Sequence, residues 1–157
     1  RLMEEIFFSG TFGGEALSLA ASIATIDKLE HEDGIAQTQA AGRKLAAGAS
    51  ERLRAHGLDE YLGVGGADWR PTVSLKPSPV PAHIAVSLFR QELIAEGLLM
   101  GGAFNLCLAH AEDEILDDTL ARFGRACETA AAAFNDAEPE RHLKGRPIQP
   151  VFQVRAQ

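Results

Sequence analysis

The sequence predicts an α+β fold: a small antiparallel sheet of about three or four strands covered by helices, with a long first helix projecting from it. Three observations predict it. Apolar residues return at helical spacing over residues 14–30, 35–56, 81–96 and 110–135. Between those stretches lie short apolar runs bounded by glycine or proline, the clearest being Thr72-Val73-Ser74-Leu75-Lys76, which alternates at period two. The length, 157 residues, suits one domain or a core domain with a tail, and a globule of this size buries about 68–70% of its unfolded surface.

The first helix, from Gly14 to about residue 30, is long and small-sided. Leu19, Ile23 and Ile26 fall at helical spacing, with Ala16 and Ala20 on the same side, and so many alanines permit close packing against another element. His31-Glu32-Asp33-Gly34 is a polar break. In the second helix Ala41, Leu45, Ala49 and Leu53 form the apolar stripe. Arg43, Lys44, Arg52 and Arg54 mostly face away and read as a solvated face. Gly57 suits the position just past a helix end.

Tyr61-Leu62-Gly63-Val64-Gly65 reads as a short strand opening into a Gly-Gly turn. Its G-x-G-G spacing matches neither a dinucleotide fingerprint nor a P-loop. Trp69 and Arg70 then sit in a loop or strand end before Pro71, and the Thr72 strand follows. Pro77, Pro79 and Pro81 make a rigid connection, and Pro81 opens the third helix. Ala85, Val86, Phe89 and Leu93 are its buried face, and Gly97 ends it. Leu98-Leu99-Met100 and Leu106-Cys107-Leu108-Ala109 read as two short strands, paired as a hairpin across residues 101–105. The last helix begins at His110 and runs to about residue 135, with Ile115, Thr119, Phe123, Cys127, Ala130 and Phe134 as its core line. Acidic residues at its start complement the helix dipole. From 136 onward proline and basic residues indicate an irregular tail with one extended segment at 151–154, wrapped back onto the domain or laid across a partner.

Charge excludes one class of function. Acidic residues outnumber basic ones, 22 to 15, for a net charge of -7, whereas general nucleic-acid binding needs a basic footprint. No 18-residue apolar span and no signal peptide is present. Cys107 and Cys127 lie in apolar patterns without metal-ligand spacing. They read as buried thiols in a reducing, cytoplasmic compartment, with no metal site. A start at Arg1 without Met suits a piece of a longer polypeptide, or a processed one.

Chemistry concentrates in Phe7-Phe8-Ser9-Gly10-Thr11-Phe12-Gly13-Gly14-Glu15, where an apolar run ends in a small polar loop and a helix follows. Backbone N–H groups, a hydroxyl and a helix N-terminus together suit an anion such as phosphate. A plain glycine-rich turn that starts a helix has the same pattern. The run FFSGTFGGEALSLAASIATIDKLE resembles the stretch that follows the cofactor lysine in class III pyridoxal-phosphate-dependent aminotransferases, and within them the glutamate-1-semialdehyde 2,1-aminomutase branch. Residues 98–123 resemble the same branch: a strand, a glycine-containing loop, a strand ending in Ala109-His110, and an acidic helix start. The tail shows no such likeness.

The resemblance implies a small C-terminal domain of a fold-type I transferase. Residues 1–13 would end the large cofactor domain, 14–31 would be the linking helix, 32–135 the small α+β domain and 136–157 the tail. It implies that Gly10 and Thr11, with Ser9 more weakly, contact the phosphate of pyridoxal 5'-phosphate bound by the other subunit of a homodimer. The family more often continues with Gly-Asn-Pro, where this chain has Gly13-Gly14-Glu15.

Such chemistry needs a Schiff-base lysine and a carboxylate on the pyridine nitrogen. In the family that lysine lies upstream of the Gly-Thr loop. Lys28, Lys44 and Lys144 fall on helices or in the tail, and only Lys76 ends a strand, so no residue of this chain is expected to be catalytic. The chain is then an incomplete, inactive portion that frames the entrance for a small amino, keto or aldehyde substrate. The region that often carries a substrate-binding arginine has none here: Phe104 and Asn105 either line the pocket or shape the turn. His110, between strand and helix, reads as a capping or packing residue rather than an acid or base. The competing class is a non-catalytic binding or dimerisation module.

Overall fold

The computed structural model describes residues 14–149. They hold helices α1 (Ala16–His31), α2 (Gly34–Ala55), α3 (Ala82–Ala95) and α4 (Asp113–Phe134), and strands β1 (Leu62–Ala67) and β2 (Arg70–Leu75). The chain divides into two compact units between Ala36 and Gln37.

In the first unit α1 starts at Glu15, whose carboxylate accepts the N–H groups of Leu17 (2.8 Å) and Ser18 (2.7 Å) and the Ser18 hydroxyl (2.7 Å). Those bonds favour the charged form and hold the Glu15 carboxyl below its usual range. None of the residues of α1 is buried, and Leu19, Ile23 and Ile26 are all exposed. Asp33 adopts a left-handed φ of 50° in the turn before α2, a conformation Asp tolerates better than most residues.

The second unit is an α+β domain whose core joins α2, α3 and α4 with Leu58, Leu62, Val80 and Phe104. The expected stripe Ala41, Leu45, Ala49 and Leu53 is buried along its whole length. Small residues let neighbours close on α2: a side chain at Gly48 would press on the Leu120 methyls, and one at Gly42 would overlap the Asp68 carbonyl of the hairpin turn. The basic residues of α2 are not simply solvated. Arg43 pairs with Asp68 at 2.8 Å, Lys44 reaches both Asp113 (2.9 Å) and Asp117 (2.7 Å), and Arg52 bonds the Gly48 carbonyl at 3.0 Å. Gly57 ends the helix in the left-handed region, as expected.

Three expectations about strands are corrected. The first strand does not stop at a Gly-Gly turn: β1 runs to Ala67 in register with β2, Leu62 opposite Leu75 and Ala67 opposite Arg70, so Asp68 and Trp69 make the turn. The sheet has two strands among the described residues, not three or four. Residues 98–100 and 106–109 are not a strand pair. Gly102, at a φ of 108°, lets the chain lie along β2 for one bridge, Ala103 opposite Thr72. Two bonds hold it: Val73 N–H to the Gly102 carbonyl and Phe104 N–H to the Pro71 carbonyl, both 2.8 Å. Residues 108–110 then form a 3₁₀ turn.

In α3 the buried line is Ile84, Ala85, Leu88, Phe89 and Leu93; Val86, expected inside, is half-buried. Gly97 ends α3 with the two bonds of a Schellman motif, Leu98 N–H to Leu93 (2.8 Å) and Gly97 N–H to Ile94 (2.9 Å). From α4, Arg122 caps the same end by donating to the Glu96 carbonyl at 3.0 Å. Helix α4 starts at Asp113 rather than His110. Its buried line includes Leu116, Leu120, Phe123, Cys127, Ala130 and Phe134, whereas Ile115 and Thr119 sit at its margin. Phe123 meets Phe89 and Phe104 with ring centroids 5.7 and 5.9 Å apart. After α4 the chain docks on α3: Ile148 N–H donates to Ser87 Oγ at 2.7 Å and Lys144 N–H to Gln91 Oε1 at 2.7 Å. The extended segment expected at 151–154 lies outside the described residues.

Candidate functional site

Ser9, Gly10 and Thr11 lie outside the described residues. The helix end that follows them is described. The first N–H groups of α1, which an anion would use, are already taken by the Glu15 carboxylate.

Within the second unit, Phe104, Asn105 and His110 meet at one cavity of about 320 Å³. Its walls are the 98–106 segment, the start of α4 through Ile115, Leu116 and Thr119, and Leu45 of α2. The backbone bonds of Gly102 and Phe104 to β2 hold the 98–106 segment in place, which is why the loop is a wall and not a free turn. Phe104 lines this cavity and is buried, its ring tilted against Phe123 with centroids 5.9 Å apart. Asn105 Oδ1 accepts from Arg70 Nε at 3.1 Å and anchors the loop to the hairpin. Most of the lining is apolar, with Asn105, His110 and Thr119 as the polar groups, the mixture typical of small-molecule pockets.

His110 does cap, as expected: its Nδ1 accepts the Cys107 N–H at 3.1 Å and closes the 3₁₀ turn. Cys107, however, is not a buried thiol. It is exposed, with Sγ 3.3 Å from the same Nδ1. The apolar pattern of residues 106–109 suggests a strand with alternate burial, but the segment turns instead. The signal available in the sequence was the i, i+3 spacing of Cys107 and His110. Cys127 is buried as expected, and desolvation pushes its thiol up to about 12.

A larger cavity of about 780 Å³ lies between the Pro79–Pro81 connection and the residues after α4. One of the three carboxylates lining it, Asp136, is fully engaged. It accepts from Glu138 N–H (3.0 Å), His142 Nε2 (2.8 Å) and Arg141 (2.5 Å). The Glu138 N–H above all, then His142, lowers its pKa to about 2.

The described residues do not fit pyridoxal phosphate by themselves. Lys28 pairs with Glu32 and Lys44 with Asp113 and Asp117, Lys144 pairs with Glu92, and Lys76 donates to the Asp59 carbonyl at 2.5 Å. Neither of the two cavities described above is lined by a lysine; Lys76 lines a third, of about 280 Å³, beside Arg54 and Asp59. Among the described residues no cluster of three His, Cys, Asp or Glu is arranged to hold a metal ion, and no helix is long and apolar enough to cross a membrane. No family model matches the chain, and no curated protein or solved structure is found to be similar to it.

Proposed function

We propose that this chain is the C-terminal portion of a class III pyridoxal-phosphate-dependent aminotransferase or aminomutase, acting as a cytoplasmic homodimer on small amino, keto or aldehyde substrates. The observation that carries the reading is the run of residues 7–30, whose order of aromatics, Gly10-Thr11 and small-sided helix resembles the segment after the cofactor lysine in that family. The α+β architecture of the second unit is compatible with the small domain of such enzymes. In this reading Gly10 and Thr11, aided by Ser9, bind the phosphate of the partner subunit's cofactor. In this reading the Schiff-base lysine lies upstream of the Gly10-Thr11 loop, as it does in the resembled family. This chain alone is then colourless and inactive, and its share of the work is a phosphate contact and a wall of the substrate entrance.

The test is made in the complete polypeptide that its gene encodes. Thr11→Val is expected to weaken cofactor retention about tenfold or more, the cost of losing a hydrogen bond to a charged group. Undiminished retention overturns the phosphate role. A coding sequence that supplies no strand-borne lysine upstream of Arg1 overturns the enzyme reading and favours the second one, a non-catalytic binding or dimerisation module. The engagement of every lysine in this chain is the observation on that side.

A further inference from the structure

The 320 Å³ cavity has no charged side chain on its walls. No Asp, Glu, Lys or Arg lines it, and its polar side chains are Asn105, His110 and Thr119. The bonds these residues already make decide which atoms they have left to offer. Arg70 Nε can only donate, so the Asn105 atom that receives it at 3.1 Å is the carbonyl oxygen, and the Nδ2 amide remains. The Cys107 N–H can only donate, so His110 Nδ1 is an occupied acceptor and the ring proton sits on Nε2. Among the described residues neither that Nε2–H nor the Asn105 amide has an acceptor. Both side chains spend their acceptor on holding the wall and keep a donor, and the Thr119 hydroxyl can donate as well.

The remaining walls are apolar and partly open. Leu99 lines the cavity at 93% exposure, the highest of any large apolar side chain among the described residues, and Ile115 beside it is also exposed. A ligand that removes these side chains from water gains the hydrophobic term. With the share of one water at about 30 Å³, the cavity holds about ten non-hydrogen atoms. A charged ligand would give up hydration here without meeting a counter-charge. A ligand without an acceptor would leave the Asn105 and His110 donors unpaired.

We propose that this cavity binds an uncharged carbonyl compound, a ketone or amide, carrying an aliphatic chain of about six carbons. The carbonyl oxygen accepts from the Asn105 amide and the His110 Nε2–H, and the chain lies against Leu99, Met100, Phe104 and Ile115. Binding is non-covalent. This goes beyond the preceding reading in naming a ligand that the chain takes by itself, without cofactor or partner subunit. It rests on the second unit and not on the likeness at residues 7–30, so its failure and the failure of the phosphate role are separate results.

The test uses the full chain with isotope-labelled methionine methyl groups, read by NMR at pH 7. Met100 lines the cavity and the chain's other methionine is Met3, so the Met100 methyl signal, identified by its loss in Met100→Leu, reports the site. The probes are methyl hexyl ketone and two ions of like length, octanoate and octylammonium. The ketone is expected to shift the Met100 signal saturably and to bind at least about tenfold more tightly than either ion. From methyl propyl ketone to methyl hexyl ketone, affinity is expected to rise about three- to fourfold per methylene. Asn105→Asp keeps an acceptor for Arg70 but replaces the amide donor with a second acceptor. It is expected to weaken the ketone about tenfold and to strengthen octylammonium. Leu99→Glu, at an exposed position, is expected to weaken the ketone by a similar factor and leave the melting temperature unchanged. No saturable shift at Met100 up to the solubility limit of the ketone, or equal affinity for all three probes, overturns the proposal. Full affinity for the ketone in either variant overturns it too.

Discussion

Helices α1 and α4 make opposite use of apolar residues. On average α1 is the more apolar of the two, yet it buries none of its residues; α4 is more polar and buries a continuous line from Leu116 to Phe134. Arrangement, not amount, separates them. In α4 the apolar residues keep to one side and Asp117, Asp118 and Arg125 to the other. In α1 the aliphatic residues are spaced by Ser and Thr, and Ser22 and Thr25 turn their hydroxyls back to the carbonyls of Ser18 and Ala21, each at 2.8 Å. Its stability rests on local bonds, the Glu15 cap above all. That of α4 rests on packing against α2 and α3, which is where most helical stability in proteins originates.

Substitutions sharpen or break this contrast. The largest effect is expected for Phe123→Ala, which empties a fully buried site touched by two other rings. It should cost about 3–5 kcal/mol in urea unfolding, and a loss under about 1 kcal/mol would break the claim that α4 is the keystone of the core. Gly42→Ala comes next. The added methyl overlaps the Asp68 carbonyl, and overpacking of about 1–3 kcal/mol is expected to outweigh the gain in helix propensity of about 1 kcal/mol. Stabilisation by this change would show that the hairpin turn is free to move off α2.

A pH titration compares the carboxylates at the ends of the two helices. Asp136, just past the end of α4, is lowered to about 2 by Glu138 N–H and His142. A folded pKa below the unfolded one stabilises above the unfolded value and ceases to as pH falls through the folded value. The parent chain should therefore lose stability between about pH 4 and pH 2, and Asp136→Asn should flatten that part of the curve. Glu15 is also lowered, by Ser18 and Leu17 alone, so Glu15→Gln should raise hydrogen exchange at Leu17 and Ser18 without altering the second unit. The smallest effect is expected for Ile23→Ala, within about 0.5 kcal/mol because the side chain is exposed. A loss of several kcal/mol there would erase the contrast between the two helices.

The helices and the strands at β1 and β2 were legible in the sequence, but the number of strands and the place of residues 98–109 were not, for a reason visible at particular residues. Ala41, Leu45, Ala49 and Leu53 share a face because the helix repeat is local, and Gly57 and Gly97 mark ends because each adopts a positive φ that other residues resist. Residues 98–100 carry the composition of a strand, but a strand exists only with a partner. The Gly102 turn brings the segment to β2 for a single bridge. The same break in regularity moved Cys107 from the expected interior to the surface.

The candidate site divides in the same way. Phe104, Asn105 and His110 could each be singled out from residue type and neighbours, but not their convergence on one cavity with Leu45 and Ile115, which come from distant parts of the chain. By itself the sequence determined the helices, the helix ends at Gly57 and Gly97, and the acidic balance, since these depend on composition or on residues a few positions apart. Only the tertiary structure decided how many strands pair, which apolar residues are covered, and that one cysteine faces a histidine while the other is sealed in the core. Those outcomes depend on what the fold brings alongside each residue, and spacing along the chain carries little information about that.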